Sequence, residues 1–493
     1  MTQSNVTAAK RDLTWLHFAV MLFFCFGFRF LPPVGPLTDI GMATVGCFFC
    51  ILYGWNVVGL IWPSLLCIVA LVAGGLVPLA TVRTIGFGSD TIVLFFFMLS
   101  FCEVFTISGS SKIFANWMCS RKFINGRPWL FSFIVLFSCW LLSGLSAAMA
   151  MIFLFWGIME GVYDTFHYKP LDKYPLIMMT GIGIFATAGA SLFPFSRMPL
   201  ILFGMYGPMV GAEGMTVAYI GYIVFITLLS VGSILGYLAV CKYMLHVDVS
   251  NIADIDVTEV ISPEETVFSK RHKAYMISLG VLILLFLLPS ILPASWKIAA
   301  IFSRLTNIGV LWAVLIIMSI VRVEGKPLID IREAAKGGVQ WDMVITTVTV
   351  LVLSTVMTND ASGIKDGLQL ILQPVLSHLS PVMLIVGIVI SSLILTNLIQ
   401  NMVVAVLYLP IIATLCATMD INGWGLVAII ALTSSCAFVL PSGSPIAAII
   451  HSNPWVKPTE VMKFGIVIVI MMMIVMSIVA VLFTNVLIIP WQP

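Results

Sequence analysis

The sequence predicts an all-α membrane protein, and composition, run length and the placing of interruptions each point to it. Sixty per cent of the 493 residues are apolar and 9% are charged, against about 25% charged in an ordinary soluble domain. So few charges cannot cover a water-exposed surface. Apolar runs at 13–31, 57–77, 276–293 and 464–490 approach or exceed the roughly 20 residues that cross a hydrocarbon core as a helix. The sequence lacks the short alternating segments of a membrane barrel. The spans are therefore helices, which satisfy their own backbone in lipid.

The same composition excludes other classes. A net charge of +2, with no basic run interleaved with aromatics, gives no nucleic-acid partner. The ten cysteines are scattered through apolar segments. Cys47 and Cys50 form a C-x-x-C inside a span with no second pair at zinc spacing, which reads as packing. The first apolar stretch is long and no small-x-small cleavage site follows it, so the expectation is insertion without a cleaved signal.

Spans are read at 13–31, 39–56, 58–77 and 87–105, followed by a short amphipathic piece at 110–123 carrying Lys112, Arg121 and Lys122. An apolar segment at 128–160 is interrupted by Ser143-Gly144-Leu145-Ser146, and one at 175–208 by 189–199; 216–244 closes the half. The long polar stretch 246–273 is read as a cytoplasmic linker. Spans at 274–294, 305–322 and 342–358 follow, then a polar piece at 359–368. The segment 380–418 is broken by Thr396-Asn397 and Gln400-Asn401, and 425–452 by Pro441-Ser442-Gly443-Ser444-Pro445; 460–489 is last.

Both halves thus use one order: plain helices, a segment interrupted by small polar residues, a segment broken by Pro, Gly and Ser, and a closing helix. Paired interrupted segments are the sequence sign of a transporter's midplane site. Gly189-Ala190-Ser191-Leu192-Phe193-Pro194 lies against Cys436-Ala437-Phe438-Val439-Leu440-Pro441, and Ser143-Gly144-Leu145 against Thr396-Asn397-Leu398. The organisation expected is an N-terminal segment and first helix at 1–38, a first repeat at 39–245, the linker at 246–273 and a second repeat at 274–493. With 128–160 and 380–418 as re-entrant hairpins and the N-terminus cytoplasmic, only Arg29, Arg83, Lys297, Arg304 and Lys365 fall outside. Arg197 then lies within the membrane and the remaining cations inside, as the cationic-loop bias requires. That places the C-terminus outside and makes the halves inverted repeats, with about 11 transmembrane helices beside the two hairpins.

At a hairpin tip two helix ends meet, and their free N–H and C=O groups are available to ions. Ser143, Gly144 and Ser146 suit one tip; Thr396, Asn397, Gln400 and Asn401 suit the other. Small hydroxyl and amide residues also glue helices together, and for an isolated serine that is the simpler reading. Arg197, in the break Pro194-Phe195-Ser196-Arg197-Met198-Pro199, is a cation flanked by apolar sequence and so a functional-site residue by default. It suits a substrate carboxylate; an internal pair with Glu103, the other charge well inside a span, stays open, as does a different placing of the loop.

The chain resembles the divalent anion:sodium symporters, the dicarboxylate and sulfate carriers of the ion-transporter superfamily. In the first half the run Phe30-Leu31-Pro32-Pro33-Val34-Gly35-Pro36, Gly54-Trp55, Trp62-Pro63-Ser64-Leu65-Leu66 and Gly86-Phe87-Gly88-Ser89-Asp90 are similar to that family. The second half matches better, with Thr396 to Asn401, Leu409-Pro410-Ile411, and Ser434 to Pro441 with Ser444-Pro445. Where the family carries Ser-Asn-Thr, this chain reads Gln400-Asn401-Met402 and, in the first half, Ser146-Ala147-Ala148. Where the family carries Thr-Pro-Pro-Asn, the first half reads Arg197-Met198-Pro199-Leu200. The resemblance implies an elevator-type homodimer and a small dicarboxylate as substrate. It implies a substrate site drawn from Ser143, Ser146, Arg197, Thr396, Asn397, Gln400, Asn401, Ser442 and Ser444. A sodium ion as coupling ion would sit at Thr396, Asn401 and Ala437, while Arg197 would replace a first-half sodium with fixed charge.

The function expected is secondary active transport of a small organic anion, by sodium-coupled symport or anion exchange. A cation/proton antiporter of the same superfamily would need a carboxylate at the site, for which Glu103 is the candidate. An intramembrane hydrolase is the rival from another class. Tyr163-Asp164 and Gly86 to Asp90 only loosely match an aspartyl protease, and no His-Glu-x-x-His or Gly-x-Ser-Gly is present.

Overall fold

The computed structural model describes residues 15–212, 215–253, 261–291, 296–376, 380–419, 421–441 and 443–491. Ser442, the first residues of the expected N-terminal segment and the middle of the linker lie outside them. Apolar runs become helices, and the polar residues bounding them become caps. Helix α1 covers Trp15–Phe30. It is followed by α2 (Asp39–Val57), α3 (Ile61–Ala73), a short helical step at 79–87, and α4 (Asp90–Ile107). Thr38 caps α2 by accepting from Gly41 N–H, and Ser89 caps α4 by accepting from Ile92 N–H. The amphipathic piece is α5 (Ser110–Cys119).

The first interrupted segment is two helices, α6 (Pro128–Ser143) and α7 (Ala148–Thr165), packed on one another. The second is α8 (Lys173–Gly189) and α9 (Arg197–Met209), separated by seven unwound residues, 190–196. Helix α10 (Tyr219–Met244) closes the half. The second half repeats the order with α11 (Lys270–Ile291), α12 (Lys297–Ile320), and α13 (Ile331–Gly338) bent by 75° into α14 (Trp341–Met357). Then come α15 (Ile364–Leu376), the hairpin α16 (Pro381–Leu398) and α17 (Asn401–Thr418), the broken pair α18 (Gly423–Thr433) and α19 (Pro445–Ser452), and α20 (Pro458–Leu487). Proline stands in the first turn of α6, α16, α19 and α20, where its missing N–H is harmless.

Among the described residues six helices are long and apolar enough to cross a bilayer, and the bent pair α13–α14 makes a seventh. Shorter apolar helices, α1, α3, α6, α17 and α18 among them, lie beside these. The outer face of α20 exposes Ile466, Ile470, Ile474, Ile478 and Leu482, a four-residue spacing that puts one continuous apolar stripe toward lipid. Three details depart from the sequence reading. The span placed at 305–322 begins at Lys297 and kinks at Thr306, whose φ is 53°. The polar piece at 359–368 runs into α15, and α13 lies where no helix was expected.

The halves interlock reciprocally. Helix α13 packs on α4, while residues 82–87 pack on α14; α9 packs on α18, while α19 packs on α8. The closing helices α10 and α20 lie along each other. A two-residue antiparallel pairing joins Thr216–Val217, just before α10, to Pro490–Trp491, just after α20. The two helices therefore run in opposite directions. At the far end of α20, Leu171 N–H donates to Trp455 C=O at 3.3 Å and the Tyr163 and Trp455 rings meet at 4.7 Å. A 30-residue helix is about 45 Å long, so these two ties mark opposite ends of the molecule.

The α10–α20 seam is close-packed at glycine. A Cβ on Gly221 would lie 1.9 Å from the Leu487 carbonyl oxygen, whereas one on Gly157 would meet nothing within 4 Å. Gly221→Ala is expected to destabilise the protein by about 1–3 kcal/mol, the usual range for overpacking. Gly157→Ala is expected to be neutral or slightly stabilising. Thermal unfolding of both variants in detergent checks the pair.

Candidate functional site

The first hairpin tip, the first break and the α13–α14 bend enclose one cavity of about 80 Å³. That is room for several waters, since one needs about 10–15 Å³ on the same measure. Ser143, Gly144, Ser146 and Ala147 line it from the tip, Ala190, Phe195, Ser196 and Arg197 from the break, and Gly337, Gly338 and Gln340 from the bend. Phe95, Met98, Leu99, Cys102 and Glu103 form its wall on α4, and their spacing of three and four residues is one helix face.

Three helices begin at this cavity: α7 after Ala147, α9 after Ser196 and α14 after Gln340. None has a side-chain cap. Each presents unpaired N–H groups and the positive end of a helix dipole. Arg197, the first residue of α9, adds a full charge. Its Nη1 donates to Gln340 Oε1 at 2.7 Å, and it makes no ion pair; the ion pairs among the described residues are Lys112–Glu265, Lys365–Asp360 and Lys463–Glu460. The pairing of Arg197 with Glu103 is thus not made. The hydroxyls of Ser143 and Ser146 are buried and have no hydrogen-bond partner.

The second tip is built differently. Thr396 Oγ1 donates to Ser434 C=O at 2.6 Å and lies 3.1 Å from the side-chain amide of Asn401. Asn397, 6% exposed, spans the second break. Its Nδ2 donates to Leu393 C=O (2.8 Å) and Cys436 C=O (3.1 Å), and its Oδ1 accepts from Phe438 and Val439 N–H (3.0 and 2.9 Å). Ser444 donates to Ala437 C=O and caps α19 by accepting from Ala447 N–H. Gln400 N–H donates to Asn56 Oδ1, while Gln400 Oε1 is buried without a partner. Ser442 lies outside the described residues.

The nine residues named from the sequence therefore divide. Ser143, Ser146 and Arg197 share an open cavity, whereas Thr396, Asn397, Asn401 and Ser444 are occupied in holding the second break together. Gln340 and the glycines at 337 and 338 were missed. The signal available was a Gly-Gly followed two residues later by a lone amide at the start of an apolar span. A second, larger cavity of about 1180 Å³ lies toward the end marked by the Pro490 pairing, bordered by Tyr206, Thr358, Lys365, Asp366, Asn422 and Asn485.

A hairpin tip and a broken helix that meet at a cavity inside an apolar shell are the architecture of a membrane transporter. The chain belongs to the citrate transporter family, whose sequence profile matches residues 49–433, within the ion-transporter superfamily that the motifs indicated. An uncharacterized transporter of Methanocaldococcus jannaschii is 28% identical over 188 residues, which is 38% of this chain and 42% of that protein. The match thus spans less than half of that relative. Among solved structures, the Alcanivorax borkumensis YdaH transporter is similar in fold, with a TM-score of 0.55, 16% identity, and 82% of this chain and 87% of that chain covered. MtrF of Neisseria gonorrhoeae, described with a class of antimetabolite efflux pumps, gives 0.55 at 14% identity, covering 82% and 83%.

The contrast between the tips is measurable. Asn397→Ala strips a partner from two buried N–H groups and two carbonyls, at about 1–3 kcal/mol for each group left unsatisfied. A loss of at least about 2 kcal/mol of stability is expected. Ser143→Ala removes a buried hydroxyl whose one polar neighbour is the weakly bonding Cys139 thiol, so its stability should be nearly unchanged. Melting temperatures in detergent decide this; equal destabilisation by the two would contradict the division.

Proposed function

We propose that this protein is a secondary active transporter of a small organic anion, bound in the first cavity and moved by alternating access. The observation that carries the reading is the convergence of three uncapped helix N-termini, two unpartnered buried hydroxyls and the Arg197 guanidinium. Such a site favours a carboxylate, because N–H dipoles and a fixed charge are worth most where water is scarce. The family's description as citrate transporters supports a small di- or tricarboxylate as the substrate class. Arg197 would grip one carboxylate through the guanidinium N–H groups that Gln340 leaves free.

The second tip suits a structural and coupling role. Its oxygens at Thr396, Gln400, Asn401 and Ala437 are neutral and hard, the type a sodium ion takes, with Gln400 Oε1 the one lacking a partner. Sodium symport and anion exchange both fit a carrier in which Arg197 supplies the first-half charge. The resemblance to the anion symporters supports a homodimer with an elevator movement of the hairpin-bearing part. The end of the molecule carrying Lys169, Lys173, Lys457 and Lys463 suits the cytoplasm, and the Pro490 end the outside, by the cationic bias. A cation/proton antiporter is poorly served, since Glu103 is the only carboxylate in a cavity otherwise rich in positive ends. An intramembrane hydrolase finds no assembled aspartate pair among the described residues. Asp90 opens α4 close to where Gly204 meets Thr91, and Asp164 ends α7 beside the aromatic cluster of Tyr163 and Trp455 at the other end.

Uptake of labelled succinate and citrate into proteoliposomes tests the reading, with and without a sodium gradient or internal dicarboxylate. Transport in at least one mode is expected. Arg197→Ala should lower it at least about tenfold while leaving a monodisperse, folded protein, since a hydrogen bond to a charged group contributes about 1.5–3 kcal/mol. No carboxylate uptake in any mode, or full affinity in the arginine variant, overturns it.

A further inference from the structure

We infer that the first cavity is bipolar and selects an organic acid that also carries a cationic group, with Glu103 as the residue that sets this preference. The inference rests on the carboxylate-binding reading of the same cavity and departs from its di- or tricarboxylate class, since a cationic group takes the place of the second carboxylate. The positive pole has been described: Arg197 with the starts of α7, α9 and α14. The opposite pole is Glu103 together with the end of α13. Both line the cavity. Gly337 and Gly338 are the last residues of α13, so its unpaired carbonyls and negative dipole end lie there. They lie against Glu103: a Cβ on Gly337 would come within 2.9 Å of Glu103 Oε1, and one on Gly338 within 2.8 Å of Glu103 Cβ. The two glycines let the backbone close over the carboxylate.

Glu103 has no ion pair or hydrogen bond among the described residues, and Arg197 has only neutral Gln340. Opposite charges facing one small cavity, each without the other, leave both to the ligand. The two charges sit on different elements, Arg197 at the start of α9 and Glu103 near the end of α4, and the rest of the α4 wall is Phe95, Met98, Leu99 and Cys102, an apolar strip. A carboxylate at one end, a few methylenes and an ammonium at the other match this layout. A plain dicarboxylate of equal length sets its second carboxylate beside Glu103, where like charges repel.

The test compares length-matched pairs in proteoliposomes: glutarate against γ-aminobutyrate, and adipate against 5-aminopentanoate. For the wild-type protein the amino acid of each pair is expected to be the better substrate or competitor, by tenfold or more. Glu103→Gln should erase that preference and improve the dicarboxylate, while Glu103→Asp retains part of it; size-exclusion profiles check folding. If wild-type protein takes the dicarboxylate as well as its amino counterpart, or Glu103→Gln leaves the ratio unchanged, bipolar selection is wrong while the anion reading stands. If neither member of any pair, nor succinate or citrate, is taken up, both fall. The wild-type comparison decides even where the variants fold poorly.

Discussion

Wherever a helix breaks inside an apolar layer, the freed N–H and C=O groups must find partners within the protein, because lipid offers none. In the second half Asn397 meets most of that requirement. One amide binds two carbonyls and two N–H groups, and it ties the hairpin tip to the unwound residues after α18. Thr396 adds the Ser434 carbonyl and Ser444 the Ala437 carbonyl. The break exists as an ordered structure because these side chains replace the missing helical bonds. An unwound segment without them would carry several unsatisfied groups at about 1–3 kcal/mol each.

The first half meets the same requirement by approach rather than by bridging. Gly144 occupies the position that Asn397 holds in the other tip. A Cβ there would come within 3.1 Å of the Gly189 carbonyl oxygen, the counterpart of the Cys436 carbonyl that Asn397 binds. A Cβ on Gly189 would lie 2.1 Å from the Trp140 carbonyl oxygen. Backbone thus packs on backbone, and the unwound residues close their own turns, as Ser191 and Leu192 N–H do on Ala188 and Gly189. Tyr222 and Ser191 lend outside contacts. With no amide filling the tip, the helix starts at Ala148, Arg197 and Trp341 keep their donors free. The two halves thus hold one closed junction and one open one.

The fold class and the places where apolar runs are interrupted were legible in the sequence, because each is a long apolar run or a local lapse in one. Three things were not. Helices α13 and α15 are short and amphipathic, and Lys336, Gly337 and Gly338 in the first weaken any periodic signal. Gln340 joins Arg197 from 143 positions away in the chain, a proximity that only the packing of α13–α14 against the first half creates. The third concerns meaning rather than position. Polar residues packed into an apolar run announce a group that needs a partner, yet a broken backbone and a ligand are partners of the same kind. Hence Asn397 and Arg197 looked alike in sequence, and only the hydrogen bonds separate a side chain that is spent from one that is free.

Charge arithmetic gives this distinction its weight. An arginine left with one neutral partner in a region of low dielectric is costly, and the cost is recovered when an anion arrives. That favours loading of the cavity over movement of it empty. Glu103 modifies the balance. With both residues ionised the empty cavity is net neutral, and a ligand with one positive and one negative end leaves it so, while a dianion brings two uncompensated charges. Each elementary charge carried across a bilayer works against about 2.3 kcal/mol per 100 mV. A carboxylate at the rim of an arginine site thus governs which ligand fits and also whether its passage is opposed by the membrane potential. One acidic residue, held against two glycines, links recognition to energetics.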